Sequence, residues 1–212
     1  MAHIHLEDGA FSPFWVIAWW ACALVLIGIS LYFLRSAQKP DQKRVVLSAF
    51  CAAAAFVVFQ IEIPVAGGVH ISLTPLIGIL AGPLFGMLII FVTNILSAAV
   101  GHGGWGLIGA NLVVNAAEVV VAYGIFRLLA QRLPDLFSRA ALATFAGLLV
   151  GNCVMVAVIL VSGIQGVHQG PEQVLAGLSL LVAINLVVAV IEAFVTGLVV
   201  SSIGKMRPDL LA

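Results

Sequence analysis

Charged residues are scarce in this chain. Lysine and arginine number nine, aspartate and glutamate nine, and together they make up 8% of 212 residues, where soluble domains carry about 25%. That scarcity excludes an ordinary water-soluble domain. The formal net charge is zero, so nothing argues for a nucleic-acid partner. Cysteine is equally sparse: Cys22, Cys51 and Cys153 fall singly inside apolar runs, without paired or ligand-like spacing, and read as small packing residues. No phosphate loop, catalytic triad or HExxH motif occurs. The chain is therefore not expected to hydrolyse ATP itself, and uphill movement of a substrate would need a partner or an ion gradient. The alternating strands of about 10 residues that mark a membrane barrel are missing too.

What is present is apolar. Hydrophobic residues make up 63% of the chain, and the mean hydropathy is +1.21. The uncharged runs approach or exceed the ~20 residues a helix needs to cross a bilayer. The expectation is an all-α, polytopic protein of the cell membrane, a single transmembrane domain over residues 1–212. The first apolar run lacks a basic flank before it and a small-residue cleavage site after it, so it is read as mature protein rather than a signal peptide.

The runs suggest seven segments. Phe14 to about Leu34 is the first, with Trp15, Trp19 and Trp20 as interfacial anchors. A polar linker, residues 35–44, is expected to be cytoplasmic. Val45 to Ile63 is the second segment. Pro64 and Gly67-Gly68 then interrupt the chain before His70, and a half-length piece follows near residues 70–81. Ala81-Gly82-Pro83 is a turn signal, after which Leu84–Val100, Leu107–Leu129, Ala140–Val161 and Leu175–Ile203 complete the set. Counted as seven crossings with the N-terminus outside and the C-terminus inside, the inner loops collect Arg35, Lys39, Lys43, Arg44, Arg127, Arg132, Arg139, Lys205 and Arg207. Those are all the basic residues of the chain, as the positive-inside rule requires. The same count places His3, His5, His70, His102 and His168 on the outer side.

Histidine is the commonest ligand for transition metals. Two histidines stand within five residues of the start, in Met1-Ala2-His3-Ile4-His5. A free amine, the first amides and a nearby imidazole can present nitrogens in one plane, which suits Ni²⁺ or Cu²⁺. The interrupted stretch before Ile71 carries His70 with Ser72 and Thr74 just beyond, and broken backbone at membrane depth points to a binding site. Glu118 and Glu192 lie well inside apolar runs, where charge is expensive. Either they relay protons, as in an ion-coupled secondary transporter, or they hydrogen-bond to Asn or Ser between helices. Asn94, Asn111 and Asn152 read as interhelical glue.

Three stretches, in order, resemble one family: the substrate-binding membrane component of energy-coupling-factor cobalt and nickel transporters, CbiM or NikM. They are His5-Leu6-Glu7-Asp8-Gly9-Ala10-Phe11-Ser12-Pro13, then Gly67-Gly68-Val69-His70-Ile71-Ser72-Leu73-Thr74-Pro75-Leu76, then Gly101-His102-Gly103-Gly104 with Ile108-Gly109-Ala110-Asn111. The resemblance covers nearly the whole chain. It implies capture of Ni²⁺ or Co²⁺ as substrate, with no permanently bound cofactor. The metal would sit in a square plane of nitrogens from the terminal amine, the amide and imidazole of the second residue, and a loop histidine that corresponds to His70. The start of the chain departs from the family pattern. Counted back from Asp8-Gly9 the second-residue histidine falls at His5 or Leu6, and counted from the start it is His3. Removal of Met1 before the small Ala2 would make His3 the second residue, so Ala2, His3 and His70 are the favoured ligands, with Met1 and His5 as alternatives. Gly67, Gly68, Ser72, Thr74, His102 and Asn111 would support the loop. The resemblance also implies an integral coupling protein, cytosolic ATPase subunits and often a small membrane partner.

Overall fold

The computed structural model describes residues 8–36, 42–63, 69–165 and 171–211. Among the described residues the chain forms six α-helices: α1 Pro13–Ser36, α2 Gln42–Phe59, α3 Thr74–Ala99, α4 Ile108–Leu128, α5 Leu136–Ser162 and α6 Pro171–Met206. Between α2 and α3 two short strands, β1 Glu62–Ile63 and β2 Val69–His70, pair antiparallel with His70 opposite Glu62. Among the described residues, five helices are long and apolar enough to cross a membrane, and the apolar part of α2, Val45–Phe59, is shorter. Large apolar side chains on the outer faces, such as Phe14, Ile17, Phe50 and Leu128, are exposed, as a lipid-facing surface requires.

The all-helical polytopic reading stands, but the count of seven segments does not. The half-length piece and the run that follows it belong to one helix, α3, in which Gly82 alone has non-helical angles, φ 78 and ψ 172. A left-handed φ is open to glycine without a Cβ clash, and Pro83 follows without an amide hydrogen to lose. The turn signal at Ala81-Gly82-Pro83 is thus a sharp kink, and helical bonding resumes after it. The count with the N-terminus outside and the C-terminus inside treated this kink as a boundary between independent crossings. It gives way to six helices. The kink also folds α3 over α4: Gly78 before it and Gly86 after it both meet Val119, while Gly82 faces Tyr123. A Cβ at Gly78 would stand 2.7 Å from the Val119 carbonyl oxygen, so the close approach depends on glycine there.

α4 is the centre of the bundle, packed against α1, α3 and α5, and α6 packs along α5. Ala110, Leu112, Val114, Val119 and Ala122 of α4 are fully buried. Between α5 and α6, Asn185 Nδ2 donates to Asn152 Oδ1 at 3.0 Å, so Asn152 is interhelical glue as read from sequence.

The two ends of the bundle differ. At one end Trp19 Nε1, near the start of α1, donates to Ser162 Oγ at the close of α5 at 2.8 Å. At the other end Arg35 and Arg127 close α1 and α4, Lys205 closes α6, and Arg139 opens α5. There the Arg139 guanidinium lies 4.0 Å above the Phe126 ring, and Asp135 caps α5 by accepting from Ser138 N at 2.8 Å and Ser138 Oγ at 2.6 Å.

Candidate metal centre

His70 closes β2 and is 1% exposed. A buried imidazole is held where its flat faces are covered, and here the cover is Phe59 from the last turn of α2. The two rings stack, with centroids 5.5 Å apart and planes 22° apart. His102, from the glycine-rich loop after α3, meets His70 edge-on at 4.5 Å and 84°, and meets Phe59 at 5.3 Å. The three rings thus form one cluster drawn from three separate parts of the chain. The loop is closed onto α3 by His102 N donating to Ser97 O at 2.8 Å, and Gln60 Nε2 donates to Ser97 Oγ at 3.1 Å.

Two small cavities adjoin the cluster, each about 10 Å³ and so roomy enough for about one water. One is lined by Asn94, Ser97, His102 and Asn111, the other by Ser72, Thr74, Thr93, Asn94 and Asn115, and Phe59 lines both. Below His70 the chain is fixed by polar contacts. Ser72 N and Ser72 Oγ donate to Glu192 Oε2 and Oε1, at 3.2 and 3.0 Å. Ser72 Oγ in turn accepts from Thr74 N at 3.2 Å, at the start of α3.

The N-terminal segment is strapped to the same end. Asp8 accepts from Trp105 N at 3.1 Å and from Gly106 N at 2.9 Å. Trp20 Nε1 donates to the Trp105 carbonyl at 3.1 Å, Gln165 N donates to Ala10 O at 2.8 Å, and Phe11 is buried. Asp8 therefore stands on the loop that carries His102.

Of the residues expected at the site, the structure brings His70, Ser72, Thr74, His102 and Asn111 to one end of the bundle. Met1, Ala2, His3, His5, Gly67, Gly68 and His168 lie outside the described residues. Among the described residues no three His, Cys, Asp or Glu side chains are grouped to hold a metal ion. Phe59 and the anchoring role of Asp8 were not read from sequence. An aromatic in an apolar run carries no signal of its own, whereas Asp8 lay within the first matched stretch. Of the two intramembrane acids, Glu192 bonds to a serine, one of the two alternatives left open for it. Glu118 is fully buried on α4, packed so closely on α5 that a Cβ at Gly151 would lie 2.8 Å from its Cδ.

A family model described as the cobalt uptake substrate-specific transmembrane region, CbiM, matches residues 5–210. The chain belongs to the CbiM family. A cobalt transport protein CbiM of Geobacter sulfurreducens is 28% identical over 99% of this chain and 62% of its own length. The chain thus spans less than two thirds of that relative. A putative metal transport protein of Haemophilus influenzae is 28% identical over 98% of this chain and 97% of its own length. A putative fused nickel transport protein NikMN of Archaeoglobus fulgidus is 28% identical over 98% of this chain and 68% of its own. A crystal structure of a transition metal transporter superposes with a TM-score of 0.81 at 22% identity, covering 96% of this chain and 93% of the other. That likeness bears on the fold alone. With the apolar helices, family membership makes this CbiM-family chain a multi-pass membrane protein.

Proposed function

We propose that this protein captures Ni²⁺ or Co²⁺ at the histidine end of its bundle and serves as the substrate-specific component of an energy-coupling-factor transporter. The ligands are the Ala2 amine after removal of Met1, the His3 amide and imidazole, and His70, with His5 the alternative at the N-terminal segment. The observation that carries this reading is the burial of His70 in an aromatic cluster at the end where Asp8 straps the start of the chain. Four residues lie between His3 and Asp8, and the five steps between them reach at most about 18 Å. Family membership and the names of the cobalt and nickel relatives support the substrate class. Nitrogen donors in a plane favour Ni²⁺, and the same scaffold type serves Co²⁺ in the resemblance.

The described basic residues at the opposite end support an outward-facing histidine end, since Lys and Arg are retained on the cytoplasmic side. Uptake would then draw on an integral coupling protein and cytosolic ATPase subunits, with a small membrane partner. The alternative, an ion-coupled carrier using Glu118 and Glu192, is weakened by the commitment of Glu192 to Ser72.

Intact-mass spectrometry of the untagged protein, with and without Ni²⁺ or Co²⁺, tests the proposal. The expected result is one bound metal on a chain lacking Met1, lost in His3→Ala and in His70→Ala. Absence of metal at micromolar excess on a chain with a free amine would sink it.

A further inference from the structure

Glu192 sits in the middle of α6 and is fully buried. Among the described residues, the hydrogen bonds to its carboxylate come from the segment just before α3. The polar contact between α5 and α6 is already made by Asn185 and Asn152. Glu192 instead reaches the connection between β2 and α3, and both its oxygens receive hydrogens from one residue, Ser72, which is two positions after His70. The next residue, Leu73, has φ 55 and ψ 11, the left-handed conformation. A branched aliphatic residue holds that conformation only where its surroundings over-determine it, and the start of α3 has no side-chain cap from Leu73 itself. Ser72 Oγ satisfies the Thr74 amide while donating to Glu192. The carboxylate thus fixes the amide, the hydroxyl and, through the hydroxyl, the first turn of α3.

We propose that Glu192 is the positioning residue of the metal loop, holding His70 in register through Ser72. The inference rests on His70 being a metal ligand, as proposed above. Outer-shell partners that orient a ligand are typically worth 10- to 100-fold in metal affinity. A carboxylate suits this task because it only accepts, and the Ser72 amide and hydroxyl both have hydrogens to give. Glutamine preserves the geometry differently: its carbonyl accepts from the amide and its NH₂ donates to the second lone pair of Ser72 Oγ. Alanine preserves nothing.

The test uses the full-length, untagged protein in detergent, titrated with Ni²⁺ and with Co²⁺, together with amide hydrogen exchange over residues 69–74 of the metal-free protein. Glu192→Ala is expected to weaken Ni²⁺ binding by roughly 10- to 100-fold and to speed exchange at 69–74. Glu192→Gln should restore most of both, and Ser72→Ala should fall between. Wild-type affinity in Glu192→Ala, or a loss that Glu192→Gln does not recover, would overturn the assignment. If the wild-type chain binds no metal, the functional reading fails first. The exchange measurement then decides the positioning role alone, and unchanged exchange overturns it. Should Glu192→Ala not fold, Ser72→Ala decides: normal affinity and normal exchange there also overturn it.

Discussion

The histidine end and the basic end of this bundle are built to different rules. At the basic end the polar groups satisfy one another locally: Asp135 with Ser138, Arg207 with Asp209 at 2.9 Å, Arg139 over Phe126. Each partner lies on the same element or a neighbouring one. At the histidine end the partners come from far along the chain. Asp8 meets Trp105 and Gly106, Trp19 meets Ser162, and Ser72 meets Glu192 at a separation of 120 residues. Local pairs finish helices. Distant pairs hold short non-helical pieces in place, and the histidine end consists of such pieces: a two-residue hairpin, a glycine-rich loop and a strapped N-terminal segment. A site made of loops can be positioned only by the helices around it, so function and folding are separable at one end and entangled at the other.

The sharpest way to break that contrast is a matched pair of aromatic truncations. Phe59 is 4% exposed at the histidine end, and Phe126 is 2% exposed at the basic end. Replacing a buried phenylalanine by alanine costs about 3–5 kcal/mol through lost transfer energy and the cavity left behind. Both Phe59→Ala and Phe126→Ala should therefore lower the thermal midpoint by comparable amounts. Only Phe59→Ala should also weaken Ni²⁺ binding, by roughly tenfold, because it frees the face of His70. Equal metal affinity in the two variants would show that the stacked ring contributes packing and no orientation.

A smaller effect is expected from the strap. Asp8→Ala removes the acceptor for Trp105 N and Gly106 N, net about 1 kcal/mol per typical hydrogen bond, and the groups it leaves can turn to water at an exposed position. Stability should change little. If the strap presents the N-terminal ligands, Ni²⁺ affinity should still fall by about tenfold, and Asp8→Asn should recover part of it. A calorimetric titration that finds the same affinity in all three proteins would detach the segment before Asp8 from the site.

How far these features can be read from residues alone follows from the length scale of each interaction. Runs of about 20 apolar residues predict helices, and α1, α4, α5 and α6 fall close to where the runs place them. Gly82-Pro83 carries the composition of a turn, yet it stands as a kink inside α3, with helix on both sides of it. A boundary and a kink share the same local chemistry and differ only in what packs against them, here Val119 and Tyr123 of α4. The hairpin of β1 and β2 is two residues a side, too short for any alternation to show. His70 and His102 are conspicuous in the sequence as histidines near glycines, but Phe59, which packs against both rings, closes an apolar run that carries no signal of a site. Glu192 was conspicuous for its cost in an apolar run, and the serine that offsets the cost lies 120 residues earlier, just before α3.

The smallest effect is expected at the basic end, from the partner of the Asp8 experiment. Asp135, like Asp8, accepts two hydrogen bonds, but both come from Ser138 in the first turn of α5. The Ser138 hydroxyl first and its amide second hold the Asp135 carboxyl below the usual carboxylate range. A folded-state pKa below the unfolded one means stability that is complete above the unfolded value and lost as pH falls through the folded one. The thermal midpoint of Asp135→Ala should therefore lie slightly below wild type at neutral pH, with the gap closing on acidification. Asp135 is exposed, so the difference should be modest and metal affinity untouched. A gap that persists unchanged below the carboxylate range would mean that the side chain acts by shape rather than by charge-assisted capping. A change in Ni²⁺ affinity in this variant would go further, since a contact confined to one helix terminus would then reach a site at the far end of the bundle, and the separation between the two ends would fail.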